Sequence, residues 1–211
     1  ARVDALAQLR LQSISETVPP SGLTDGMAYG VPVGAVNDWN LHEGEVAIFS
    51  NGGWVFATPV VGWKAFVVDL GLFAVFDGAD WNSGAVAVSP GGAATVFKVT
   101  EFDHVITGGA SSTTGVAIKN GAQVIGVTGR VLADITGNGT MTWELGVAGS
   151  TNRYGSGLGL LTNSWVRGLT GAPLTYWSDT SLVLTATGGD FVGGTVRLAI
   201  HSVELSVPRS V

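Results

Sequence analysis

Apolar residues in this chain recur mostly at every second position and in short runs, separated by glycine-rich turns. Alternation of that period belongs to half-buried strands, so the pattern predicts a β protein. From Gly26 to about Trp81 the reading is continuous strand and turn. Val46, Ile48, Trp54, Phe56, Trp63, Phe66, Val67, Val68, Phe73 and Phe76 supply a core there, punctuated by Asn51-Gly52-Gly53, Pro59, Gly71 and Asp77-Gly78. Within it, Ala47-Ile48-Phe49 leads into Asn51-Gly52 and Trp54, and Ala74-Val75-Phe76 leads into Asp77-Gly78 and Trp81. Both turns carry dipeptides favoured in type I′ hairpins, and both strands are followed by a tryptophan at the same distance from the phenylalanine. Further β runs are predicted over 95–106, 114–119, 123–135, 140–148, 181–187 and 195–207. In the last of these, Val196, Leu198 and Ile200 alternate before the apolar phase slips to Val203, Leu205 and Val207, which predicts a β-bulge.

Only residues 1–10 read as a helix, with Val3, Leu6 and Leu9 at helical spacing. A helix that short is unstable alone and must pack on the molecule or on its counterparts in an oligomer. The expected fold is therefore all-β, with a short N-terminal helix or attachment stub over 1–18 and a small hairpin-rich β domain over 19–82. A turn-rich linker is expected over 83–94 and a C-terminal β-sandwich, jelly-roll-like, over 95–211.

Composition adds a constraint on association. Of 211 residues only 12% are charged, while 45% are hydrophobic and 32 are glycine. Ordinary domains carry about twice that charge. A surface so short of ionic groups is expected to be buried in part against copies of the same chain. The net charge of −6 and ten scattered basic residues argue against nucleic acid, whose binding rests on Lys and Arg neutralising phosphates. The absence of cysteine excludes disulfides and thiolate metal sites. The longest nearly apolar run, Ala65 to Phe76, is interrupted by Asp69 and too short to span a bilayer, and no signal-peptide pattern is present.

Catalytic constellations are thin, and no catalytic residue, metal ligand or cofactor is assigned. The glycines at 155, 157 and 159 lack a following lysine or helix to hold phosphate. His42, His104 and His201 are far apart, and strand alternation sends His104 and Asp103 to opposite faces. Glu43 with Glu45, and Glu101 with Asp103, would share a face, but a glycosidase usually brings its carboxylates from separate segments across a cleft. Asp77, Asp80 and Asn82, and Asp134 with Asn138, cluster in turns without calcium-loop spacing. The better lead is aromatic. Trp39, Tyr154, Trp165, Tyr176 and Trp177 lie among polar, turn-rich neighbours, with Arg153 and Asp179 beside them. A sugar ring offers an apolar face ringed by hydroxyls, which an aromatic platform flanked by polar groups matches. These seven residues are the expected glycan-binding set.

One string of residues points to a family. Pro19-Pro20, Asp25-Gly26, Tyr29, Gly44-Glu45, Trp54, Pro59, Gly62-Trp63, Asp69, Phe76-Asp77-Gly78 and Trp81 together resemble a domain family of unknown function. Its members occur in tailed phages, prophages and gene transfer agents of alphaproteobacteria. Val124 to Val131, Gly146 to Ser150, Asn152 to Gly157, Trp165 and Gly168-Leu169-Thr170 look like the C-terminal domain that often accompanies it, so the resemblance covers nearly the whole chain. The chain departs at Gly30, where the family tends to have a β-branched residue. Members usually carry a longer lead-in before the position of Val3-Asp4-Ala5-Leu6, which fits a chain whose attachment segment is missing or disordered.

The resemblance implies a virion protein, a tail fibre or related receptor-binding protein, and it implies no active site. With the charge-poor surface and the aromatic set, the expected function is a homotrimeric tail fibre of a phage or gene transfer agent that displays loops toward host surface glycan. Its expected partners are its own copies, baseplate or other virion proteins and host surface polysaccharide, without nucleic acid or membrane insertion. The alternatives are an architectural baseplate or head-decoration protein without ligand, and a capsule polysaccharide depolymerase.

Overall fold

In the computed structural model, residues 8–140 and 142–210 are described. The protein is all-β with several sheets, and it divides into two units, Ala1–Val96 with Ser206–Val211, and Phe97–Leu205. The first unit begins with β1 (Arg10–Leu11) and β2 (Ala28–Gly30), then a three-residue 3-10 turn, Asn37–Trp39. Strands β3 (Val46–Ser50), β4 (Gly53–Ala57), β5 (Lys64–Val67), β6 (Leu72–Phe76), β7 (Trp81–Ser83) and β8 (Ala85–Val88) follow. The segment 83–94, expected as a linker, thus carries a strand and lies inside this unit.

Seven strands form one sheet in the order β4-β3-β2-β1-β5-β6-β7. Residues 1–7 of the expected helix lie outside the described residues, but its end does not continue as helix. Arg10 and Leu11 instead form the middle strand, parallel to both β2 and β5. Leu11 is buried opposite Ala28 and Val67, and backbone bonds from Gln12 to Ala28 and from Val68 to Leu11 close both sides. Ladder bonds on two edges outweigh a weak local helical preference.

The two Phe-to-Trp devices reach the same cross-strand pairing through different turns. Asn51 and Gly52 both have positive φ (53° and 78°), as a type I′ turn requires, and Phe49 faces Trp54 across the hairpin. In the second copy only Gly78 is left-handed, and a four-residue loop joins β6 to β7, yet Phe76 again faces Trp81. Ring centroids are 5.3 Å apart in both pairs. Asp77 serves there as a loop cap. Its Oδ1 accepts the backbone N–H groups of Ala79 and Asp80, each at 2.9 Å, and its Oδ2 accepts Asn82 Nδ2 and Arg209 Nη1. Burial alone would push this carboxyl up, but the donors outweigh it and hold it below its ordinary value.

The second unit contains most of β9 (Ala94–Val105), then β10 (Ser111–Ile118), β11 (Gln123–Asn138), β12 (Thr142–Val147), β13 (Ser150–Leu158), β14 (Trp165–Thr175), β15 (Thr180–Thr187) and β16 (Asp190–Leu205). One sheet has the order β10-β15-β12-β13, and the other runs β14-β11-β16-β9, with the first residues of β9 pairing with β8 in the first unit. The two sheets share a core. Trp143, Leu145, Val147, Leu182 and Leu184 come from one, and Val124, Val127, Val131, Val196, Leu198 and Ile200 from the other.

The bulge expected in β16 belongs to its partner. Ser202 stays buried in phase with Ile200, while Val203 is only half-buried and Leu205 faces solvent. The extra residue is Ile125 of β11, because Val124 pairs with Ser202 and Gly126 with His201. It shifts the inward phase of β11 from Val124 to Val127 and Val131.

Gly129 sits where β11 is held on both edges, opposite Leu198 and Val166. A Cβ there would come within 2.7 Å of Leu198 Cδ2 and 2.8 Å of the Arg197 carbonyl oxygen. Gly129→Ala is expected to lower unfolding free energy by about 1–3 kcal/mol in urea denaturation. Gly171→Ala, which meets nothing nearby, should stay within about 0.5 kcal/mol of the parent. Equal stability of the two variants would contradict the register described above.

Candidate functional site

The outward face of β14, β11 and β16 gathers groups that lie far apart in the chain. Arg130 pairs in register with Trp165 on one side and Arg197 on the other, and Thr128 pairs likewise with Arg167 and Ala199. These side chains, with Glu101 and Leu132, line a concavity of about 460 Å³. Three of the ten basic residues of the chain therefore meet on one face, a grouping that their scatter along the sequence conceals.

The arginines differ in how far they are spent. Arg197 makes a two-pronged ion pair with Asp103, Nε to Oδ1 at 2.6 Å and Nη2 to Oδ2 at 2.9 Å, with Glu101 at 3.9 Å. That hydrogen-bonded pair holds the Asp103 carboxyl below its ordinary value and raises Arg197. Asp103 is thus kept ionised, unsuited to donate a proton. Arg130 donates to the Asn163 carbonyl oxygen at 3.1 Å and has no ion pair among the described residues. Arg167 has no hydrogen bond or ion pair among the described residues.

Trp165 is 63% exposed and follows a loop that β11 clamps. Val131 and Asn163 exchange backbone bonds with the loop and strand, Val131 N–H to Ser164 O at 2.8 Å and Asn163 N–H to Val131 O at 2.9 Å. Asp134 Oδ1 accepts both the Thr162 N–H at 2.7 Å and the Thr162 hydroxyl at 2.6 Å. Those two bonds hold the Asp134 carboxyl below its ordinary value. A ring presented on clamped backbone is ordered before any ligand arrives.

The seven residues expected to bind glycan do not converge, and three cannot offer a ring face. Trp39 is 0% exposed, because the 3-10 turn points Asn37 and Asp38 outward and packs the indole between Tyr29 and Trp54. Tyr154 is an inward residue of β13, and its hydroxyl meets that of Tyr176, also buried, at 2.6 Å. Burial, then the bond to Tyr176, drives the Tyr154 hydroxyl far above its ordinary value. Arg153 is exposed on β13, in the other sheet from Trp165. Trp177 is 82% exposed on the loop between β14 and β15. Asp179 on the same loop accepts Lys119 Nζ at 2.8 Å and the Asn120 N–H at 3.0 Å, and the lysine bond lowers its carboxyl. Thr175 faces Gln123 and Trp165 faces Arg130, so β11 separates the Trp177 loop from the concavity by about 20 Å at about 3.3 Å per residue.

The other groups weighed from sequence are placed without forming a centre. His104 is buried, its Nε2 2.8 Å from Ser112 Oγ, and burial lowers its basicity. Asp103 lies on the opposite face, as alternation requires. His42 Nδ1 meets Glu45 Oε2 at 2.7 Å, and Asp77 is consumed by its loop. Among the described residues no three His, Asp or Glu groups converge on a metal position.

Comparison with known proteins supports the family resemblance at the N-terminal end. Residues 1–82 match the family described as a protein of unknown function, DUF2793. No curated protein matches the chain. Among solved structures, a chain of the cyanophage Pam1 capsid asymmetric unit is similar at 24% identity and a TM-score of 0.39, covering 52% of this chain and 86% of that one.

The Asp134 clamp gives a pH signature. A depressed folded-state pKa means that the clamp is fully present above the ordinary carboxylate value and is lost as pH falls through the lower, folded value. The Thr162 amide resonance should titrate with a midpoint below about 3.9, and Asp134→Asn should abolish that step. A midpoint at or above that value would contradict the clamp.

Proposed function

We propose that this protein is a structural and adhesive virion component, a homotrimeric tail fibre of a phage or gene transfer agent. The first unit and its neighbours in the trimer form the shaft, and the second unit presents a surface to host glycan. The observation that carries this reading is the surface itself. Among the described residues twenty large apolar side chains stand exposed on a chain of which 12% is charged. Such a surface favours association over solubility as a monomer. In the first unit Phe73, Val60, Val61, Leu70 and Val86 are among them, and Val61 and Val86 line one depression with Val75 and Phe76.

The resemblance to phage and gene transfer agent proteins supports the virion setting, and the charge-poor surface supports association with copies of the chain. The second unit supports the reading by its strand order. Its first and last strands, β9 and β16, are neighbours, and the chain passes repeatedly between two four-strand groups. We read this as a jelly roll, an architecture common to capsid and lectin domains. Three copies would multiply weak sugar contacts through avidity.

Native mass spectrometry at micromolar concentration is expected to show a trimer, and Val86→Glu to shift it toward monomer. A monomeric parent chain would overturn the shaft. Trp177→Ala, which removes a projecting ring without touching the core, is expected to lower adsorption to host cells severalfold. Unchanged adsorption would favour an architectural role without ligand.

A further inference from the structure

We propose that the concavity on β14, β11 and β16 is a binding site for an acidic saccharide, a sugar ring that carries a carboxylate. The inference deepens the adhesive reading and rests on it. A ligand for this face must satisfy two demands at once. Trp165 offers a broad apolar ring to solvent, and Arg130 and Arg167 offer cationic forks that hold no carboxylate among the described residues. A neutral sugar would use the ring and leave the arginines idle. A simple inorganic anion would use the arginines and leave the ring idle.

The spacing suits one residue of a glycan. Arg130 lies directly across the strand pair from Trp165, where opposed side chains start about 5 Å apart. Arg167 lies two residues along β14 on the same face, about 7 Å away at about 3.3 Å per residue. A pyranose stacked on the indole would bring an equatorial carboxylate within reach of either guanidinium, whose planar fork matches carboxylate geometry. Arg197 plays a different part. Its pairing with Asp103 engages the guanidinium, so it lines the concavity without competing for the ligand. Charge complementarity points the same way. The chain as a whole is −6, yet the lining carries Arg130, Arg167 and Arg197 against Glu101 alone, with Asp103 adjacent. The clamped 160–164 loop holds the tryptophan in place before binding.

The test uses the full chain and a panel of oligosaccharides bearing galacturonate, glucuronate or N-acetylneuraminate, each beside its methyl ester. Isothermal titration and saturation-transfer NMR would read binding. At least one acid is expected to bind, and its ester to bind about tenfold more weakly or worse, the loss of one charge-assisted contact. Arg167→Gln and Trp165→Ala are expected to cost a similar factor each while the melting temperature stays unchanged, since both side chains are exposed. Trp177→Ala should leave this binding intact. Acid and ester binding alike, or full affinity in Arg167→Gln, would overturn the site, as would the failure of every acid in the panel. Host-cell adsorption separates the two levels of inference. Adsorption that survives Arg167→Gln but falls in Trp177→Ala leaves the adhesive reading standing and removes the acidic-sugar site. A parent chain that adsorbs to no host cell removes both.

Discussion

The second unit depends on β11 being bonded along both of its edges. A strand that pairs with β14 on one side and β16 on the other has no freedom to slide, because a one-residue slip would exchange its faces. Two of its three glycines, Gly126 and Gly129, lie close under backbone of the neighbouring strands, so the three strands approach where a side chain would hold them apart. The bulge at Ile125 then sets which residues of β11 face the core and which face out. Arg130 stands between Trp165 and Arg197 as a consequence of that register, and so does the concavity.

Much of the architecture is legible in the chain because it is written in local alternation. Val46, Ile48, Phe56 and Phe66 mark their strands, and β9, β10, β11, β12, β15 and β16 overlap the predicted runs, whereas β13 and β14 fall in none of them. The Phe-to-Trp spacing was legible as pairing even where the turn type was not, since Asp77 found better use as a cap for Ala79 and Asp80 than as a left-handed turn residue. What local pattern could not show was long-range competition. Leu9 fits the helical spacing of Val3 and Leu6, yet its carbonyl accepts the Phe66 N–H, and Leu11 pairs with Ala28 and Val67, which are distant in sequence. The phase slip in Val203, Leu205 and Val207 had a similar fate. Polar Ser202 took the inward position and bonded to Glu204, leaving the apolar residues half-buried or outside.

The candidate site was harder to read for a physical reason. Polar neighbours in sequence say little about a ring in a strand or a tight turn, because adjacent side chains point to opposite sides. Tyr154 beside Arg153 and Trp39 beside Asp38 are both buried for that reason, whereas Trp165 at an outward position is exposed. The arginine group was hidden because its three members lie on three strands. A usable signal was present, since Arg130, Arg167 and Arg197 each alternate with an inward apolar residue of their own strand, namely Val131, Val166 and Leu198.

A charge-poor flank and a clamped, basic, aromatic face suit a protein that is held in place by its copies and holds something else in turn. The most direct measurement is a reconstruction of particles that carry the protein, at a resolution that resolves its strands. The account predicts a threefold set of subunits at the periphery, with exposed residues of the first unit such as Phe73 and Val86 in contact and the Trp165 face open to solvent. A single isolated copy, or a Trp165 face sealed against a neighbouring virion protein, would contradict it.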